Sequence, residues 1–229
     1  MGKRKKIKKT DILTYIILIL FMLYVLFPLF VMVMTSLKEN LDFIKNPTGF
    51  PEKICLDGFR TLFTDSHFFL YLRNSVLVTG ISLAAVIVFS VMLSYALARY
   101  TGAWVRKWYF FFLAGMIIPI RLGVLFLNDM LNVLHLVNTP WGLIFIYIAM
   151  SIPFSMFILT GYIKMIPREM DEAAYLDGCT TSRVITSMMV PLLKPAIATV
   201  AIYNFVPIWN DVYFPLIFIF DDSKKTFML

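Results

Sequence analysis

Two ionisable residues lie within long apolar runs of the sequence, where a charged side chain needs a polar partner. Arg121 and Asp211 each stand among long runs of apolar residues, and Asp211 directly follows Trp209 and Asn210, with Asn204 a little earlier. Together these side chains can offer charge, amide hydrogen bonds and an aromatic face to a polar solute. We therefore predict that they line a polar pathway.

Other residue types that often carry chemistry are sparse and scattered. The two histidines, His67 and His135, have no neighbours at metal-ligand spacing, and the two cysteines, Cys55 and Cys179, are far apart. No phosphate-binding loop, H-E-x-x-H helix or paired intramembrane carboxylates occur in the sequence. We expect no metal, no cofactor and no enzymatic reaction on this chain.

The composition indicates a membrane protein. Of 229 residues, 60% are hydrophobic and only 15% are charged, whereas a soluble domain carries about 25% charged residues. Spanning a bilayer takes about 20 consecutive apolar residues. The charge-poor runs predict an all-α polytopic fold with spans at 12–37, 74–98, 108–127, 140–163 and 195–220.

The distribution of basic residues predicts the orientation. The first nine residues include "KRKKIKK", directly before an apolar run, which is typical of a cytoplasmic anchor; a nucleic-acid-binding arm is the alternative. With residues 1–11 inside, Lys and Arg divide into 13 cytoplasmic and 8 external. Cys55 and Cys179 would then lie on opposite sides of the membrane and could not pair.

Two polar loops stand out between the spans. The outer loop, 38–73, is turn-rich and then amphipathic from Leu56, so we expect a surface helix that packs on lipid or on the helix bundle, or that docks an external partner. The inner loop, 164–194, contains "EAAYLDG". Acidic residues after Pro167 favour a helix start, and Gly178 favours a sharp exit before a second helix. We predict two short helices hinged at Gly178.

The inner loop resembles the coupling loop of permease subunits in binding-protein-dependent ABC importers. That family's pattern is E-A-A-x3-G-x9-I-x-L-P, and this chain matches it with Glu172, Ala173, Ala174, Gly178 and Pro191. Conservative apolar replacements stand at the two remaining positions. The stretches "LVNTPWGLI" (136–144) and "IWNDVYFPL" (208–216) are similar to carbohydrate-importer permeases, most of all to the second permease of maltose and multiple-sugar systems.

The resemblance implies the fold, the partners and the roles of several residues. It implies the type I ABC importer transmembrane fold, which usually has six spans, so we expect the sixth to be missing after residue 220. It implies a second permease subunit, a cytoplasmic ATPase dimer, an extracytoplasmic solute-binding protein and a sugar substrate. The ATPase-coupling residues would be Glu172, Ala173, Ala174, Leu176 and Gly178.

A sugar pathway would suit Trp209, Asn210 and Asp211, because hydroxyl-rich ligands are held by polar groups beside an aromatic face. In straight helices of 1.5 Å rise, Asp211 and Arg121 lie about 24 Å and 21 Å from the inner ends of their spans, so Arg121 could pair with Asp211. Alternatively, both reach the outer headgroups. An ion-coupled transporter or channel subunit is the alternative function, and it would also depend on these two residues.

Overall fold

A computed structural model describes residues 9–64 and 67–229, and the ordered elements in those ranges are all helical. The chain divides into two compact units, Met1–Phe68 and Phe69–Leu229. The predicted basic segment at the N-terminus lies almost entirely outside the described residues.

The first unit contains one long apolar helix and two short helices. Helix α1 (Lys9–Ser36) is long and apolar enough to cross a membrane, and it coincides with the predicted first span. Helices α2 (Asn40–Lys45) and α3 (Asp57–Thr64) lie in the predicted outer loop. No residue of α3 is buried.

Two long helices form the centre of the second unit, α4 (Phe68–Arg99) and α7 (Pro140–Met165), and both could span a membrane. Small polar residues of α4 are buried, and the Ser94 hydroxyl donates a hydrogen bond to the Met156 carbonyl of α7 at 3.1 Å. Small side chains of this kind let membrane helices approach closely. Ser82, Ser90 and Ser94 are buried, whereas Gly80 is exposed.

The predicted third span is not one continuous helix. Helix α5 (Ala103–Gly115) is followed by a 3₁₀ turn at Ile120–Gly123 and by α6 (Val124–Val133), and the two parts are bent by 82°. Pro119 explains the break, because proline donates no backbone hydrogen bond and disfavours helical geometry in the residue before it.

The predicted coupling loop consists of two helical segments. Helix α8 (Glu169–Leu176) precedes the segment Thr181–Leu192, in which α9 (Thr181–Arg183), a π-helical stretch (Val184–Met189) and α10 (Val190–Leu192) follow one another. This arrangement confirms the expected pair of helices on either side of Gly178.

The predicted last span is also interrupted. Helix α11 (Lys194–Trp209) is bent by 78° from the segment before it, and α12 (Tyr213–Phe218) follows after a break at residues 210–212. Pro207 is accommodated within α11, whereas the break comes three residues later. Each bent pair must count as one span to reach five spans within the described residues.

The chain after α12 is held to the start of α4. Asn74 donates hydrogen bonds to the carbonyls of Ser223 and Lys225, and the Ser75 hydroxyl accepts one from the backbone of Phe227. Hydrogen bonds from Ser223 lower the pKa of the exposed Asp221 carboxyl. These contacts order the last residues of the sequence.

Candidate functional site

Helix α8 packs one face against the rest of the chain and exposes the other face. Asp171 is buried and Ala174 is half-buried, whereas Glu172 and Ala173 are exposed and Leu176 is 89% exposed. Ala174 packs against a core cluster that includes Ile163 and Val184, so its small side chain fits α8 onto its own chain. The predicted coupling residues therefore divide between an outward face (Glu172, Ala173, Leu176) and an inward one (Ala174).

A buried ion pair fixes α8 to the end of α4. Arg99 Nε lies 2.5 Å from Asp171 Oδ2, and both side chains are less than 10% exposed. Arg99 also donates a hydrogen bond to the Ile166 carbonyl at 3.0 Å, and Arg168 donates one to the Ala98 carbonyl at 3.3 Å. The end of α4 thus contacts both α8 and the residues that precede it.

Three hydroxyl groups extend this contact across the loop. The Tyr95 hydroxyl donates to Asp171 Oδ2 at 3.5 Å and lies 3.0 Å from the Tyr175 hydroxyl, which donates to Thr181 Oγ1 at 3.3 Å. Polar groups that are removed from water need such partners. The network joins α4, α8 and the start of α9.

The reversal after α8 depends on Gly178, whose φ is +79°. Backbone at positive φ is open to glycine and strained for most other residues, as the sequence predicts for this position. The next helix begins with Thr180, whose side chain accepts a hydrogen bond from the Arg183 backbone. A Cβ on Gly178 would meet nothing within 4 Å, so its backbone geometry alone accounts for the preference.

The residues predicted to line a pathway on α11 have different surroundings. Asn204 is buried, and it donates hydrogen bonds to Ser155 Oγ on α7 at 2.9 Å and to the Val200 carbonyl. It therefore serves helix packing. Trp209 stacks on Phe205 with ring centroids 5.7 Å apart, and Asn210 is exposed beside them. Of the predicted residues on this segment, Trp209 and Asn210 present an aromatic and a polar group together at the surface, whereas Asn204 does not.

Asp211 does not pair with Arg121. Its carboxylate accepts hydrogen bonds from the Tyr147 hydroxyl at 2.8 Å and from the backbone N–H groups of Tyr213 and Phe214. The Arg121 guanidinium lies over the Tyr213 ring instead, 5.3 Å from its centroid. The depth comparison assumed straight helices, and the break after α5 removes that basis for Arg121. The carboxylate of Asp211 is stabilised by hydrogen bonds from one hydroxyl and two backbone amides, as a partly buried anion requires.

The stretch 136–144 has a structural role. Thr139 caps α7 by accepting a hydrogen bond from Gly142 N, and Pro140 stands in the first turn. A Cβ at Gly142 would come within 2.5 Å of the Leu136 carbonyl oxygen, so a larger residue would not fit. Asn138 Oδ1 accepts hydrogen bonds from the backbone of Phe220 and Asp221. The motif therefore joins α7 to the end of α12.

The sequence interpretation missed the partners that hold α8 in place. Arg99 and Asp171 are 72 residues apart, and nothing in the local pattern links them. A signal was nevertheless present, since Asp171 is the acidic residue directly before Glu172 and Arg99 ends a long apolar run. Within the described ranges, no group of three His, Cys, Asp or Glu residues could hold a metal ion, and both cysteines are free.

Comparison with known families gives a match over most of the second unit. Residues 87–223 match the family described as "Binding-protein-dependent transport system inner membrane component". This range begins within α4 and includes α8 to α12.

Individual proteins align over more of the chain. The diacetylchitobiose uptake system permease protein NgcG of Streptomyces coelicolor is 32% identical over 93% of this chain and 70% of its own length. The multiple sugar-binding transport system permease protein MsmG of Streptococcus mutans is 33% identical over 85% of this chain and 70% of its own. A chain from the crystal structure of a bacterial ABC transporter involved in the import of the acidic polysaccharide alginate shares the fold, with a TM-score of 0.84 and 19% identity, over 98% of this chain and 80% of that one.

Proposed function

Because the chain belongs to the family of inner membrane components of binding-protein-dependent transport systems, we propose that it is a permease subunit of an ATP-driven sugar importer. It would form the pore with a second, homologous permease and accept substrate from an extracytoplasmic solute-binding protein. A separate ATPase dimer would supply the energy. The sugar assignment is supported by relatives named for diacetylchitobiose and for multiple sugars.

The observation that carries the proposal is the two-sided construction of α8. Its inner face is held by the buried Arg99–Asp171 pair, and its outer face presents Glu172, Ala173 and the 89% exposed Leu176. An exposed apolar side chain beside small and acidic residues suits a groove on another protein. We assign the ATPase to this face, with Glu172 making a charge-assisted contact there.

The contacts on the inner face of α8 suggest how a movement of the ATPase would reach the membrane helices. When the ATPase dimer closes on ATP, α8 would move with it. Arg99 and Tyr95 both contact Asp171, so α4 would follow as a rigid body. The hinge at Gly178 would let the next helical segment change its angle to α8. In the proposed function, coupling is the transfer of the ATPase movement through α8 to α4.

The proposal places α8 and the N-terminus on the cytoplasmic side. The excess of basic residues in the segments assigned to that side supports the orientation. The other side would receive the binding protein, and the exposed amphipathic α3 lies in the loop assigned there.

On α11 we assign the sugar pathway to the stacked pair Phe205 and Trp209 together with Asn210. Aromatic faces and planar amides are the groups that hold sugar rings and hydroxyls. Phe205 and Asn210 are exposed and Trp209 is half-buried, so the face is open to a solute. Asn204 is excluded from this surface because it is buried against α7.

Reconstitution of the chain with its companion permease, ATPase and binding protein in sealed vesicles tests the function. The proposal expects uptake of a di- or oligosaccharide that requires ATP and the binding protein. Uptake driven by an ion gradient in vesicles without the ATPase would instead support the secondary-transporter alternative.

We expect Trp209→Ala and Asn210→Ala to lower sugar uptake at low sugar concentration. The loss of an aromatic contact of about 0.5–1.5 kcal/mol corresponds to about a two- to tenfold decrease. ATPase stimulation by the loaded binding protein should persist, because α8 is unchanged. Trp141→Ala, which removes another exposed tryptophan, is the matched control. Equal uptake in all variants would assign this face to packing.

A further inference from the structure

A cationic cavity lies where three membrane helices end. Its volume is about 650 Å³, and it lies between the end of α4, the start of α5 and the end of α7. Three cations line it, Arg106, Lys164 and Arg168, and none of the residues that line it is acidic. Over the ranges that the structure describes, none of the three cations forms an ion pair. The lining of the cavity therefore carries an excess of positive charge.

An apolar groove of about 400 Å³ adjoins this cavity. The two share Leu97, Tyr100 and Val105, and the groove continues along α4 and α5 to Phe112. Only apolar and aromatic side chains line the groove, apart from the Tyr100 hydroxyl and the Trp104 and Trp108 ring nitrogens. A charged head beside an apolar channel is the shape of an amphipathic ligand.

The position of the cavity also fits a lipid. Trp104 and Trp108 stack with centroids 6.2 Å apart, and both are exposed. Exposed tryptophans are typical of the membrane–water interface, and basic pockets between helices at that level bind anionic headgroups. Lys164 lies 5.2 Å from the centre of the Tyr109 ring, which keeps its ammonium group at the cavity.

We propose that the cavity and groove together form a binding site for an anionic phospholipid. The phosphate would contact Arg106, Lys164 and Arg168, and one acyl chain would lie in the groove beside Trp104 and Trp108. This site includes none of the outward residues of α8 and none of the pathway residues on α11. It requires only that the helices span a membrane, so it does not depend on sugar transport.

Native mass spectrometry of the full chain in detergent tests the site, with phosphatidylglycerol and phosphatidylcholine as probes. We expect retention of phosphatidylglycerol over phosphatidylcholine. Lys164→Gln and Arg106→Gln should each weaken phosphatidylglycerol binding about fivefold, since a basic residue near an anionic membrane surface contributes about that factor. Lys194→Gln is the matched control, because Lys194 is exposed and lines neither the cavity nor the groove.

A second variant and a second ligand complete the test. Ala96→Phe fills the groove without changing charge, and it should weaken phosphatidylglycerol binding while leaving Lys164 and Arg106 in place. Inorganic phosphate should compete only weakly, because it lacks an acyl chain. The proposal is overturned if phosphatidylcholine binds as tightly as phosphatidylglycerol, or if the Lys194 variant loses as much binding as the Lys164 and Arg106 variants. It is also overturned if phosphate binds as tightly as the lipid, or if the assembled ATPase displaces the lipid.

Discussion

Replacement of Asp171 with alanine will destabilise the chain by about 3–5 kcal/mol, because it leaves the Arg99 guanidinium buried without its carboxylate. The measurement is the thermal unfolding midpoint of the purified chain, followed by ATP-driven uptake in the assembled importer. Asp222→Ala is the matched control, since its ion pair with Lys225 is at the surface and should contribute little. Equal midpoints for the two variants would contradict the buried pair.

A double variant separates stability from coupling. Arg99→Met combined with Asp171→Leu replaces the ion pair with apolar side chains, and such replacements often restore or raise stability. We expect a normal unfolding midpoint and impaired uptake, because the orientation of α8 on α4 is no longer fixed by the charges. If the double variant transports at the wild-type rate, the pair has a role in stability only.

Valine at Gly178 will reduce coupled uptake about fivefold or more. The position has a φ of +79°, and left-handed backbone costs about 1–2 kcal/mol for a residue with a side chain. Asparagine tolerates this region better than valine, so Gly178→Asn should retain more activity. Sugar-stimulated ATPase activity and uptake in the same vesicles would show whether hydrolysis continues without transport.

Gly161→Val is the matched control for the hinge. Like Gly178, Gly161 has open space around an added Cβ, but its backbone does not have positive φ. We expect it to leave coupling near the wild-type level. If the valine variants at the two positions behave alike, the hinge does not require the left-handed conformation.

The local parts of the candidate coupling site could be predicted from the sequence, because they depend on neighbouring residues. The acidic first turn of α8, the hinge at Gly178 and the cap at Thr180 all act within one or two turns of the chain. The residues that hold α8 could not be predicted, because Arg99 and Tyr95 reach Asp171 only after α4 and α7 have packed together. Packing between distant segments is absent from local patterns.

The errors in the membrane region have a different origin. Hydropathy gives the positions of apolar runs but not the breaks within them. The third predicted span is bent between α5 and α6, and the last one is interrupted between α11 and α12. The positions of proline residues do not by themselves predict the breaks, since Pro119 lies at a break whereas Pro153 and Pro207 lie within helices. The expected Arg121–Asp211 pair failed because it was inferred from depth along straight helices, and Asp211 instead contacts Tyr147.

Cross-linking from the outer face of α8 tests the central claim most directly. In a chain whose Cys55 and Cys179 are replaced by serine, Leu176→Cys should form a cross-link to the ATPase subunit in the assembled importer, and the yield should change with ATP. Leu134→Cys is the matched control, because Leu134 is also exposed but lies at the end of α6. Cross-linking at Leu176 alone is the result that we predict. No cross-link at Leu176, or equal cross-linking at Leu134, would contradict the assignment of α8 to the ATPase.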